Sequence, residues 1–204
     1  MVYQWADSKH SPSHNYLLPT VLAILRDLPT ANERKLFDLG CGNGSLDAEL
    51  EKAGWNVTGV DASEEGIAQA LKAYPQLDLS VGSAYDDLAG KRGQFPVCLS
   101  LEVVEHLYDP RLFAKNLFNL TQPGGIAVLS TPYHGYLKNL AISLAGKWDS
   151  HFTALWDGGH IKFWSPRTLA ELLTGAGFGE FKFHYVGRIP VLAKSMVVVA
   201  KRPS

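Results

Sequence analysis

Two groups of residues in this 204-residue chain have types and spacing that could do chemistry. The first is Glu102-Val103-Val104-Glu105-His106. On a helix, Glu102, Glu105 and His106 stand at i, i+3 and i+4 and share one face. Two carboxylates and an imidazole admit three readings. One is a divalent metal site completed by a distant histidine, whose mixed oxygen and nitrogen ligation suits Mg, Mn, Fe or Zn better than calcium. Another is metal-free general-base chemistry by His106 or a glutamate such as Glu105. The third is a structural role. The second group is Asp38-x-Gly40-x-Gly42-x-Gly44, followed by Asp61. Glycines at alternate positions let the backbone turn tightly and let a ligand approach it. An acid about 20 residues past such a turn accepts hydrogen bonds from ribose hydroxyls.

The elements that must position these groups are legible from periodicity. Residues 35–39 read as a buried parallel strand, and from Ser45 the apolar Leu46, Leu50 and Ala53 fall at helical spacing. The first turn of that helix offers free N–H groups and a dipole to a polar ligand. Residues 55–61 form the next strand, and Ser63 is placed to cap the helix that follows, leaving Asp61 for the ribose. A helix over Ile67, Leu71 and Tyr74 stops at Pro75. Residues 77–81 are the third strand, 87–94 a loop, and 95–101 the fourth strand. The Glu102 to His106 string then lies at that strand's C-terminal end, where open α/β sheets bind ligands. Asp109-Pro110 starts a helix, residues 122–125 make a turn, and 126–131 form the fifth strand. Residues 132–160 are too long for a plain connection. Leu137, Leu140, Ala141 and Leu144 mark a short amphipathic helix there, and Trp148, His151, Phe152, Trp156 and His160 follow. This insertion reads as a substrate lid suited to a flat or apolar acceptor; a dimer or membrane-surface contact is the rival reading of the same helix. Ser165-Pro166 opens the last helix, and two strands joined by a turn with Pro190 end the chain.

The pattern from Asp38 to Gly44, with Asp61 at its distance, resembles the class I S-adenosylmethionine-dependent methyltransferases. The resemblance runs over about residues 35–201 and is strongest at these two motifs. It implies an α/β fold with a seven-stranded, mostly parallel, Rossmann-like methyltransferase sheet and a C-terminal β-hairpin. Residues 1–34 then form an N-terminal helical cap, and 35–204 a methyltransferase domain with its lid insertion at about 132–164. By the same resemblance the glycine loop wraps the methionine part of S-adenosyl-L-methionine, Asp38 serves its ammonium and Asp61 its ribose. A carboxylate at Asp38 would repel a pyrophosphate but suits an ammonium and a sulfonium. The cofactor-binding residues are accordingly Asp38, Gly40, Cys41, Gly42, Gly44, Asp61, Ala62, Ser83, Ala84 and Leu101. At Ser83 the family often carries an acid for the adenine; here Ser83 and the backbone of Ala84 stand in for it. Tyr3, Trp5, His14 and Tyr16 fall where the family's leading segment packs over the cofactor mouth, although that helix could simply cover a sheet edge.

The Glu-x-x-Glu-His string also resembles that of ubiquinone-pathway O-methyltransferases and small-RNA 2′-O-methyltransferases, both associated with a divalent metal such as Mg or Zn. That likeness makes Glu102, Glu105, His106 and His160 the metal ligands, with a hydroxyl as the acceptor. Without metal, His106 and Glu105 are the catalytic pair, or His134 acts as base for a nitrogen or carbon acceptor. Methyl transfer to a small molecule is the reading. RNA 2′-O-methylation, a nicotinamide-dependent oxidoreductase and a non-catalytic cofactor-binding partner are its rivals. A net charge of −1 and the lack of a long basic run argue against nucleic acid. The 46% hydrophobic content supports a substantial core, and the two cysteines form no CxxC pair, which argues against a zinc ribbon. No stretch approaches the ~20 apolar residues of a membrane span, and no signal region is evident, so a cytoplasmic protein is expected. The sequence leaves homodimerisation open.

Overall fold

The computed structural model describes residues 9–28 and 34–204. Tyr3 and Trp5, assigned above to the cofactor mouth, lie outside the described residues. Helix α1 (His14–Arg26) precedes β1 (Lys35–Leu39), α2 (Ser45–Lys52), β2 (Asn56–Asp61), α3 (Glu64–Ala73), β3 (Asp78–Val81), α4 (Leu88–Arg92) and β4 (Phe95–Leu101). Then come α5 (Pro110–Leu120), β5 (Thr121–Pro132), α6 (Tyr136–Leu144), α7 (Trp148–Phe152), α8 (Pro166–Ala176), β6 (Gly179–Val186) and β7 (Ser195–Lys201).

The strands form one seven-stranded sheet in the order β3-β2-β1-β4-β5-β7-β6. β1 to β5 run parallel, while β7 is antiparallel to both β5 and β6. The expected C-terminal hairpin is therefore present, with β7 inserted between β5 and the edge. β1 is buried from Leu36 to Leu39, and Val97, Cys98 and Leu99 beside it are fully buried. Such continuous burial is what a parallel strand covered by helices on both faces requires. One face packs Phe37, Leu39 and Cys98 against Phe113, Leu117, Leu169 and Leu173 of α5 and α8. The other packs Leu36, Val97 and Leu99 against Leu17, Val21 and Leu25 of α1 and Leu46 and Leu50 of α2.

The structure differs from the periodicity in three places. Residues 88–92 are helical rather than a loop, because the Asp87 side chain caps them by accepting from Gly90 N–H. The expected turn at 122–125 is a bulge within β5: Phe95 pairs with Thr121 and Val97 with Ile126. Most consequential is the stretch after β4. Only Val104–His106 is helical, as a single 3₁₀ turn, and Glu102 adopts φ 57°. The shared helical face is thus absent, and tertiary contacts set the three side chains instead.

Candidate active site

The sheet's strand order reverses between β1 and β4, and the C-terminal ends of both open into a cavity of about 820 Å³. Asp38, Gly40, Cys41, Asp61 and Ala62 line it beside Ser83, Ala84 and Leu101. Across the opening stand His14 of α1 and residues 152–154 and 156–161 of the insertion.

Asp61 closes β2 with two backbone donors: Gly42 N–H at 2.9 Å on one oxygen and Ser63 N–H at 2.8 Å on the other. Ser63 Oγ caps α3 by accepting from Gly66 N–H, as its position required. Asp61 is therefore held rather than loose, and each of its oxygens keeps a lone pair for a further donor. Burial raises its pKa, and the two N–H groups oppose that rise. Asp38 is 3% exposed and burial pushes its carboxyl up to about 6. Ser83 Oγ accepts from Tyr85 N–H, and the Ala84 carbonyl accepts from Asn116 Nδ2, so both residues hold their loop while facing the cavity.

Not every glycine serves the cavity. Gly40 does line it, and a Cβ there would collide with Val103. Gly44 is not among the lining residues; at φ +70° its Cβ would lie 2.8 Å from Leu79 and 3.0 Å from Ala70. That crowding packs the loop closely on α3 and β3. Gly42 also stands back from the lining and contributes its N–H to Asp61.

His14, expected near the mouth, lines the cavity and places Nδ1 3.2 Å from Ser45 Oγ. Tyr16 instead turns its hydroxyl toward Ser195 Oγ at 3.4 Å. Asp47 went unnoticed in the sequence, where an acid in a helix's first turn is ordinary. It is wholly buried behind Asp38.

Elsewhere on the cavity, Glu105, His106 and His160 bring one ligand atom each within 4.8 Å of one another. The His106 Nδ1 lies 2.7 Å from the Gly158 carbonyl and 3.2 Å from that of Gly159. Carbonyls only accept, so Nδ1 carries the proton and Nε2 keeps its lone pair. The segment that brings His160 is fixed by Ile161 and Lys162 N–H groups donating to the Glu105 carbonyl. Glu105 is fully buried, and both its carboxylate oxygens are without a hydrogen-bond partner; the nearer ring atom is His160 Nε2 at 4.0 Å. Burial and the Glu102 charge raise the Glu105 pKa well above the ordinary range. Burial and the neighbouring His106 push His160 down to about 4. Burial also lowers His106, against the raising effect of its two carbonyl partners. Uncharged acid and uncharged imidazoles are what this crowd favours, and a bound cation would reverse both tendencies.

Glu102 lines the same cavity but is not among the three residues whose ligand atoms lie within 4.8 Å of one another. Its carboxylate accepts from Ser130 Oγ at 2.7 Å and Ser195 Oγ at 3.3 Å. His134 is likewise not at the cavity: it stacks on Phe152 and packs against Phe163, and burial lowers it to about 4. Of the aromatics read as a lid, Trp156 lines the cavity edge-on to His106, Trp148 stacks on Phe152, and Tyr133 packs on Tyr185. Helix α6 buries none of its residues, and Tyr136, Leu137, Leu140 and Leu144 are exposed.

The structure thus combines a Rossmann-like sheet, a glycine turn, a backbone-held acid at the end of β2 and an acid–imidazole group on one cavity. The comparisons give the class. The family model for a methyltransferase domain matches residues 14–179. The chain is 34% identical over 195 residues to the "Ubiquinone biosynthesis O-methyltransferase" of Caulobacter vibrioides, covering 84% of this chain and 75% of that protein. It is 35% identical over 150 residues to the same-named protein of Caulobacter sp. strain K31, covering 69% of this chain and 58% of that one, so it spans well under two thirds of that relative. Among solved structures, magnesium protoporphyrin IX methyltransferase from Synechocystis, with bound S-adenosylhomocysteine, superposes with a TM-score of 0.64 at 21% identity, covering 91% and 82% of the two chains. The chain belongs to the methyltransferase-domain family and is an S-adenosylmethionine-dependent methyltransferase. The oxidoreductase reading is thereby set aside. No helix among the described residues is long and apolar enough to cross a membrane.

Proposed function

We propose that the protein methylates an oxygen, a hydroxyl or phenol, on a small and largely flat acceptor. The observation that carries this is His106, whose tautomer is fixed by Gly158 and whose free Nε2 sits beside Glu105 and His160 at the cavity. A hydroxyl becomes a competent nucleophile only as it loses its proton, so an oxygen acceptor needs such a base at hand. The curated relatives named above are O-methyltransferases, which favours oxygen over nitrogen or carbon.

In this reading Asp61 orients the ribose and Asp38 faces the ammonium of S-adenosylmethionine, whose sulfonium supplies the methyl group. Trp156 and Leu107 wall the acceptor and exclude water, and His106 Nε2 takes the hydroxyl proton. As the alternative to that base role, the orphaned Glu105 oxygens, His106 Nε2 and His160 would hold a divalent cation such as Mg or Zn, which would lower the pKa of a bound hydroxyl in place of the free imidazole. Glu102 lines the cavity beside them, held by Ser130 and Ser195.

The test is methyl transfer from labelled S-adenosylmethionine to a panel of catechols, phenols, amines and thiols, with and without chelator. Catechol turnover that His106→Asn lowers about a hundredfold supports the reading. Turnover confined to amines, or an His106→Asn enzyme as fast as the parent, overturns it. Activity that survives chelation removes only the metal.

A further inference from the structure

The buried end of the cofactor loop holds an acid that the reaction does not use. Asp47 is the third residue of α2, 0% exposed, and it abuts Asp38, which is 3% exposed and lines the cavity. Neither Asp47 oxygen has a donor, and one Asp38 oxygen lacks one too. No ion pair joins either carboxyl to a base among the described residues. The groups that face the pair give no help. Asp61 of β2 adds a third negative charge, and Cys41 in the loop and Cys98 of β4 are buried thiols pushed upward. His14 of α1, which meets Ser45 Oγ and lines the same cavity as Asp38, is held down at about 4 by burial and His10, so it stays neutral.

Two ionised carboxylates cannot remain in contact in such a place, and a carboxylate cannot donate to its twin. Their contact becomes a hydrogen bond only when one of them is an acid. Asp47 is the enclosed member and Asp38 the one open to the cavity, so the proton belongs on Asp47 and the charge on Asp38.

We propose that Asp47 is a positioning residue for the cofactor: as a neutral carboxylic acid it donates to Asp38 and fixes that carboxylate, ionised, toward the ammonium of the methionine part. The inference rests on Asp38 serving that ammonium. Its consequence is an acid limb in cofactor affinity. Below about pH 6 Asp38 takes up a proton and its attraction for the ammonium is lost. Removing the Asp47 donor destabilises the Asp38 carboxylate further and moves this limb to higher pH.

The experiment is calorimetric titration with S-adenosylhomocysteine from pH 5 to 9, for the wild type, Asp47→Asn, Asp47→Ala and Asp38→Asn. 5′-Methylthioadenosine, which keeps the nucleoside and lacks the ammonium, is the parallel probe. Asn at 47 still donates, so Asp47→Asn should keep the wild-type limb. Asp47→Ala should bind S-adenosylhomocysteine about tenfold more weakly at pH 7, with its limb shifted upward. Its affinity for 5′-methylthioadenosine should be unchanged, which a merely misfolded loop would not allow. An Asp47→Ala protein with the wild-type limb, or one that loses both ligands equally, overturns the role of Asp47. If Asp38→Asn itself keeps full affinity and the limb, the assignment of Asp38 to the ammonium fails instead.

Discussion

Glu102 offers the sharpest energetic test of the acidic end of the site. Burial raises its carboxyl from the ordinary 4.5 to about 7, against the lowering effect of its Ser130 and Ser195 donors. A raised folded-state pKa means the folded protein holds a proton that the unfolded chain has already released. Stability from this group is therefore fully present below pH 4.5 and is lost as pH rises through about 7. At 1.36 kcal/mol per pH unit the full rise is worth about 3 kcal/mol, and water in the cavity reduces it to about 2–3 kcal/mol. Glu102→Gln keeps the shape, accepts from one serine through its amide oxygen, donates through its amide nitrogen to the other serine's hydroxyl, and never titrates. Urea unfolding of the two proteins in chelator should give similar stabilities at pH 5. At pH 8 the variant should be more stable than the wild type by about 2 kcal/mol. The gap must open with pH. A constant difference between pH 5 and pH 8 would refute the burial of a titrating carboxyl at this place. So would a wild type that gains stability over that range relative to the variant.

Two further outcomes follow from the geometry. Gly44→Ala should lose about 2–4 kcal/mol, from its left-handed φ and the crowding on Leu79 and Ala70, yet bind S-adenosylhomocysteine normally below its melting temperature; lost affinity in a fully folded variant would keep Gly44 in the cofactor site. Trp156→Ala should raise the KM for the acceptor about tenfold and leave cofactor affinity unchanged, since the indole packs on His106 and His160 at the acceptor end; an unaltered KM, measured by initial rates, would remove residues 152–161 from the acceptor wall.

The glycine turn and its two acids were readable in the chain because they are built locally. Asp38, Gly40 and Cys41 lie within a few residues on one strand and its turn, and Asp61 ends the neighbouring parallel strand in register. Strand, turn and helix chemistry fix such a unit with little help from elsewhere. Asp47 escaped notice for the opposite reason: its significance is that it meets Asp38 in the interior, and helix position alone carries no sign of that. The crowding of Gly44 under Leu79 and Ala70 was equally hidden, because a glycine in a ligand loop and a glycine under a packed leucine look the same in sequence.

The sequence by itself determined the alternation of strands and helices, the hairpin at the end, the glycine turn and its two acids, because each is written in spacing over a few residues. Only the tertiary structure decided how the acid–imidazole group is arranged. Glu102, Glu105 and His106 do not share a helical face; Glu102 sits at φ 57° and turns to Ser130 and Ser195 from two other strands. His160 reaches Glu105 because residues 161 and 162 are tied to the Glu105 carbonyl across more than fifty residues of chain. Those contacts join segments that are distant in sequence, and they form only when the sheet has closed and the insertion has folded back over its edge.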